Sequence, residues 1–147
     1  MRVLVQEDPF DLSEETAHFA KGECGSGAIV TFTGVVRDND AGTLSAMEIE
    51  HYPGMTEKAL REIAEQAVAR FDLQDALVIH RYGRLAPGEQ IMMVASAARH
   101  RRHAFEAAEF LMDYLKSRAP FWKREITAEG EAWVAAKDED EAALERW

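Results

Sequence analysis

Apolar residues recur along this chain with two different periods, and the alternation between them outlines a fold. The clearest helical period runs through Met55, Ala59, Leu60, Ile63, Ala64, Ala67, Val68 and Phe71, where residues three and four apart share one face. A second stripe, Ala104, Ala108, Leu111 and Leu115, widened by Phe105 and Met112, predicts a helix from about Arg102 to Ser117. Pro120 ends it, because a proline ring disfavours helix at the preceding residue, and Phe121 to Ile126 then alternates as a short strand. On that strand Phe121 and Lys123 take one face, Trp122 and Arg124 the other.

Period-two and β-branched runs predict the remaining strands. Met1 to Glu7 alternates weakly. Ala28 to Val36, AIVTFTGVV, reads as a mostly buried strand in which Gly34 marks a bulge or a close backbone approach. Leu44 to Tyr52 is a strand with Leu44, Ala46 and Ile49 inward, closed by Pro53 and Gly54. Ala76 to Arg84, ALVIHRYGR, and Gln90 to Ala97 read as a hairpin about Pro87-Gly88. Asp11 followed by Glu14 resembles a capping box opening a short helix through about Lys21, with a flexible connection at Gly22, Gly25 and Gly27. The closing segment, Glu129 to Trp147, carries seven acidic residues against Lys137 and Arg146, yet Trp133 and Trp147 predict that it packs on the rest.

A chain of 147 residues with 47% apolar content fits one domain, residues 1–147, with a real core. No run of eighteen apolar residues occurs and the N-terminus lacks the basic and apolar regions of a signal peptide, so the expectation is a soluble cytoplasmic protein. The lone Cys24 excludes an intrachain disulfide and a cysteine-built zinc site. A net charge of −10 argues against extended nucleic-acid binding.

Against that acidity, Arg99 to Glu125 holds seven of the seventeen Lys and Arg residues and two of the five histidines. A local positive field has an anion to meet. His100 and Arg101 stand at the helix entrance, Lys116 in its last turn and Lys123 on the following strand. If that strand turns back beside the helix end, the two lysines converge on one pocket, where mutual repulsion and desolvation favour a neutral amine near pH 7. The same spacing also suits lysines that simply end a helix and a strand in solvent. Arg37, at a strand end beside the loop Asp38 to Gly42, divides in the same way between a site and plain surface. His80 reads as a hydrogen-bonded core or interface residue, and Cys24 as a loop thiol without a fixed neighbouring cation. Neither a G-x-x-x-x-G-K-[ST] loop nor a G-x-S-x-G elbow occurs, and the carboxylates are too scattered for a two-metal phosphoesterase.

Taken in order, the motifs resemble those of the large, catalytic subunits of molybdopterin synthase. The matching stretches are GAIVTFTGVVR (Gly27 to Arg37), EHYPGM (Glu50 to Met55), HRYGRLAPGE (His80 to Glu89), His100-Arg101 with AFEA (Ala104 to Ala107), and MDYLKSRAPFWKRE (Met112 to Glu125). They cover about Gly27 to Trp147, and the last is the most specific. One departure is Ala98-Arg99 before His100, where relatives commonly carry a small polar residue.

The resemblance implies an α+β fold of the α/β-hammerhead type, with antiparallel strands and two main amphipathic helices. It implies a sulfurtransferase that converts cyclic pyranopterin monophosphate into molybdopterin, with no metal or organic cofactor of its own. Sulfur would come from the C-terminal Gly-Gly thiocarboxylate of a small ubiquitin-like sulfur-carrier subunit. Two large subunits would form a central homodimer with a small subunit at each end, a heterotetramer that engages neither nucleic acid nor membrane. Carried over by position, Lys116 and Lys123 are the catalytic pair, and Arg37, His100, Arg101, Arg124 and Glu125 complete the substrate site. Arg37, His100 and Arg101 are expected to anchor the phosphate while the lysines hold the tail and move protons, with Lys137 a candidate contribution from a neighbouring subunit. Two rival readings are a non-catalytic docking module for the tail of a ubiquitin-like protein and a persulfide carrier acting through Cys24.

Overall fold

The most apolar strands of the sequence become the middle of a four-stranded sheet. In a computed structural model, which describes residues 1–135 and 137–147, β4 (Leu73–Arg81) and β6 (Gln90–Ala98) pair antiparallel at its centre. β1 (Arg2–Gln6) lies parallel to β4 at one edge and β2 (Ala28–Val35) antiparallel to β6 at the other. Two helices, α2 (Met55–Phe71) and α3 (Arg101–Arg118), pack side by side on one face, where Leu60, Ile63, Phe110 and Leu111 meet Val78 and Val94. Burial of these side chains is the main favourable term in holding helices to sheet. The opposite face, with Leu77, Ile79 and Met93, is covered by Phe19 and by Leu12 of α1 (Leu12–His18). Asp11 caps α1 by accepting a 3.0 Å hydrogen bond from the Glu14 amide.

A second sheet runs β5 (Gly83–Leu85), β3 (Ala46–His51), β7 (Phe121–Thr127), β8 (Gly130–Trp133), all antiparallel. The fold is therefore α+β. α4 (Asp138–Ala143) and a short 3₁₀ turn (Leu144–Arg146) close the chain. Among the described residues no helix is long and apolar enough to cross a membrane.

Several expectations need correction. The run from Ala76 to Arg84 is two strands, because the chain breaks at Tyr82 and Gly83 turns with φ +92° into the second sheet. β4 and β6 still pair, but through a connection that carries β5 to another sheet. The β1–β4 pairing is parallel, outside the antiparallel pattern. β2 is an edge strand and not mostly buried: Ile29, Phe32 and Val35 are 51%, 44% and 49% exposed. Its bulge does fall at Gly34, where the Met92 side chain approaches a hypothetical Cβ to 3.2 Å. α1 stops at His18, short of Lys21. Of the two late tryptophans, Trp147 packs edge-on against Phe71 and Phe110 at 5.7 and 5.5 Å, whereas Trp133 is exposed.

Candidate functional site

The site grows out of the join between α3 and β7. Ala119 leaves the helix with extended dihedrals and Pro120 follows, so the chain reverses at once into β7. Thr56 fixes this corner. Fully buried in the first turn of α2, its hydroxyl donates to the Pro120 carbonyl at 3.1 Å and accepts from the Tyr52 amide at 2.9 Å. Strand alternation then puts Phe121, Lys123 and Glu125 on the inner face of the second sheet, beside buried Ile49, the register partner of Lys123.

Lys116 and Lys123 do converge. Burial pushes the Lys123 amine below the ordinary lysine range, the positive charge of Lys116 pushes it further, and the Asp140 carboxylate of α4 opposes both. The Lys116 ammonium stands 3.9 Å from that carboxylate, and Ser117 donates to the Asp140 carbonyl at 3.0 Å. An acidic side chain of the closing segment thus lies against the two lysines.

Beneath Lys123 lies His80, only 6% exposed. Its ring stacks on Phe121 at 3.7 Å between centroids, 18° between planes, and its Nδ1 bonds the Arg81 carbonyl at 2.8 Å. That carbonyl accepts, so Nδ1 carries the proton. Burial pushes the imidazole down to about 3, and the Lys123 charge adds to the effect, so His80 is neutral at ordinary pH. Arg81 points to the other side, donating to the Glu7 and Gln90 carbonyls, each at 3.1 Å.

The remaining candidates do not gather in one chain. His100 is the N-cap of α3 and Arg101 its first residue, both exposed, about 24 Å along the helix axis from Lys116. The hollow expected to join His100-Arg101 to the lysines is therefore not formed by a single copy. Arg37 follows β2 where that strand meets the start of β6, at the sheet end to which α3 returns, and its exposed guanidinium lies 3.7 Å from Asp40. Arg124 sits on the outer face of β7, bonded to Glu50 at 3.1 Å and Glu131 at 2.8 Å and stacked over Trp133, away from Lys123. Glu125 shares the Lys123 face one step further along β7, and Lys137 is exposed at the N-cap of α4. Cys24 is an exposed loop residue beside Glu23. Among the described residues no three His, Cys, Asp or Glu side chains gather to hold a metal ion.

This arrangement, a lowered lysine amine beside a second lysine at a Pro-turned helix end, carries the stretch MDYLKSRAPFWKRE. The model of the family described as MoaE protein matches residues 5–118. The chain belongs to the MoaE family. It is similar to the molybdopterin synthase catalytic subunit of Cereibacter sphaeroides, 69% identical over the whole of both chains. Among solved structures it resembles the molybdopterin biosynthesis MoaE protein of Burkholderia ambifaria, with TM-score 0.84 and 51% identity over 99% of this chain and 96% of that one. It also resembles molybdopterin synthase from Staphylococcus aureus, with TM-score 0.81 and 27% identity over 89% of this chain and 95% of that one. Membership in the MoaE family places the chain among sulfurtransferase subunits.

Reading the residues alone missed three parts of the site. Thr56 lies on a helix whose apolar stripe drew attention to the core, and Asp140 is one acid among seven in the closing segment. His80 was seen as a core residue, which it is, but nothing local indicates that its ring faces β7 of the other sheet.

Proposed function

We propose that the chain is the catalytic subunit of a molybdopterin synthase, taking sulfur from the C-terminal thiocarboxylate of a small ubiquitin-like partner and adding it to cyclic pyranopterin monophosphate. The observation that carries this reading is the pairing of Lys116 with a half-buried Lys123 whose amine is lowered by burial and by its neighbour's charge. Both reactants are anions, and a pair of lysines of which one is pushed below the ordinary lysine range can bind anions and exchange a proton more readily than an ordinary lysine. Lys116 stabilises the negative charge of the tail. The tail's anionic sulfur adds to the pterin, water then cleaves the acyl–sulfur bond so that its oxygen leaves with the tail as carboxylate, and Lys123 takes the proton of that water and passes it to the sulfur that stays on the pterin.

The positions of His100 and Arg101 support a two-copy site. Lying at the far end of α3 from the lysines, they would serve the pocket of a second copy, and the second copy's pair would serve this one. A central homodimer flanked by two small subunits satisfies that geometry, and the exposed apolar residues of edge strand β2 provide surface for self-association. In this assembly Arg37 and the neighbour's His100 and Arg101 hold the phosphate. Arg124 would act by stiffening the outer face of β7 through Glu50, Glu131 and Trp133.

Mixing the purified chain with the thiocarboxylated partner and the cyclic pterin tests this. A synthase yields the dithiolene product, whereas a docking module yields a stable complex and no product. Full activity in Cys24→Ser excludes the persulfide carrier.

A further inference from the structure

We propose that His80 is a positioning residue for Lys123, its ring clamped face to face on Phe121 so that it fixes the stretch of β7 from which the lysine amine enters the pocket. The inference rests on the function proposed above and adds a residue to it. β7 begins immediately after Pro120, and its first residue, Phe121, is the partner of the His80 ring. The contact joins the two sheets, since His80 lies in the first and Phe121 in the second. Lys123 follows Phe121 by two residues on the same face, so a ring that holds Phe121 also sets the direction from which the lysine emerges.

Histidine suits this place for a reason beyond shape. Its Nδ1 proton is committed to the Arg81 carbonyl, which fixes the tautomer and the ring plane. What faces Lys123 from β4 is thus an aromatic plate without charge. The charges that act on Lys123 are Lys116 from α3 and Asp140 from α4, while Glu125 lies further along its own strand face. On its buried side the amine meets no counter-charge from His80. A carboxylate there would pair with the ammonium and keep it protonated.

The test reads Lys123 directly, by ¹³C NMR titration of the lysine side-chain carbons in the purified chain, alongside the pH dependence of product formation in the full complex. In the wild-type chain Lys123 titrates below an ordinary lysine. His80→Ala frees Phe121 and admits water, so the Lys123 midpoint rises by about one pH unit and the pH–rate profile shifts upward with it. Turnover falls at least tenfold with little change in KM for the pterin. His80→Phe keeps the plate and leaves the midpoint within a few tenths of wild type. Should His80→Ala fail to fold, His80→Phe compared with His80→Gln, which keeps a donor but lacks the ring, makes the same distinction, and only the Gln variant shifts. An unchanged Lys123 midpoint in a folded variant that lacks the ring overturns the proposal. A shifted midpoint with an unshifted rate profile upholds the His80 contact and removes Lys123 from the rate-determining chemistry, which counts against the proposed function instead.

Discussion

The Asp140 carboxylate lies 3.9 Å from the Lys116 ammonium, reaching it from a helix that the chain forms only after completing both sheets. The same carboxylate opposes the lowering of Lys123, so one acid near the C-terminus acts on both amines of the pocket. In the proposed site it stands where an anionic ligand would bind.

Replacing that acid therefore moves the lysine. In Asp140→Asn the opposing charge is lost and the Lys123 midpoint falls further. If activity requires the neutral amine, the rising limb of the pH–rate profile moves to lower pH. A profile recorded at constant ionic strength checks the direction.

Lys116→Ala and Lys123→Ala each remove a group that the reaction is proposed to use. Product formation should drop by about 10²-fold or more. Circular dichroism and partner affinity should stay close to wild type, because Lys116 is exposed and Lys123 half-buried. Wild-type turnover in either variant would remove that residue from the mechanism.

A site split between copies makes complementation possible. His100→Ala and Lys123→Ala homodimers should each be nearly inactive, yet mixing them through dissociation and reassociation should restore activity, since a mixed dimer holds one intact set. No recovery, with subunit exchange verified by mass spectrometry, would place both residues in one copy's site.

Acid should destabilise the chain through His80. The unfolded histidine takes up its proton near the ordinary value of 6.5, the folded one only near 3, so the unfolded state binds more protons between these limits. Stability is full above about pH 6.5 and declines as pH falls toward 3, by at most roughly 5 kcal/mol from this one group. Urea unfolding at a series of pH values should show the slope in wild type and a flatter one in His80→Phe.

Trp147 secures the closing segment by packing edge-on against Phe71 and Phe110 and donating to Asp113 at 2.7 Å. Trp147→Ala should cost about 2 kcal/mol in denaturant melts. By loosening α4 it should also shift the Lys123 titration in the same direction as Asp140→Asn.

The residues that face the core announced themselves. The stripe from Met55 to Phe71 and the helix ended by Pro120 follow from spacing, whereas the meeting of Lys116 with Lys123 across the turn is only one of the two arrangements that spacing allows. What escaped depends on partners remote in sequence. Gly83 looks like the end of a strand until β3 claims Gly83–Leu85 for a second sheet. The β-branched run from Ala28 looks buried because its composition suits an interior, but it takes an edge position with side chains left open. His100 and Arg101 seemed close to the lysines because they belong to one motif-rich stretch, although a straight helix keeps its two ends apart.

In the proposed two-copy site that helix would work as a spacer bar. With His100 and Arg101 at one tip and Lys116 at the other, α3 would set the pitch at which neighbouring copies must dock for both proposed centres to be complete. Adding or removing a single turn would move one set of groups by about 5.4 Å and misalign two centres at once. On that proposal, the length of this one element governs whether a pair of subunits is an enzyme or merely a dimer.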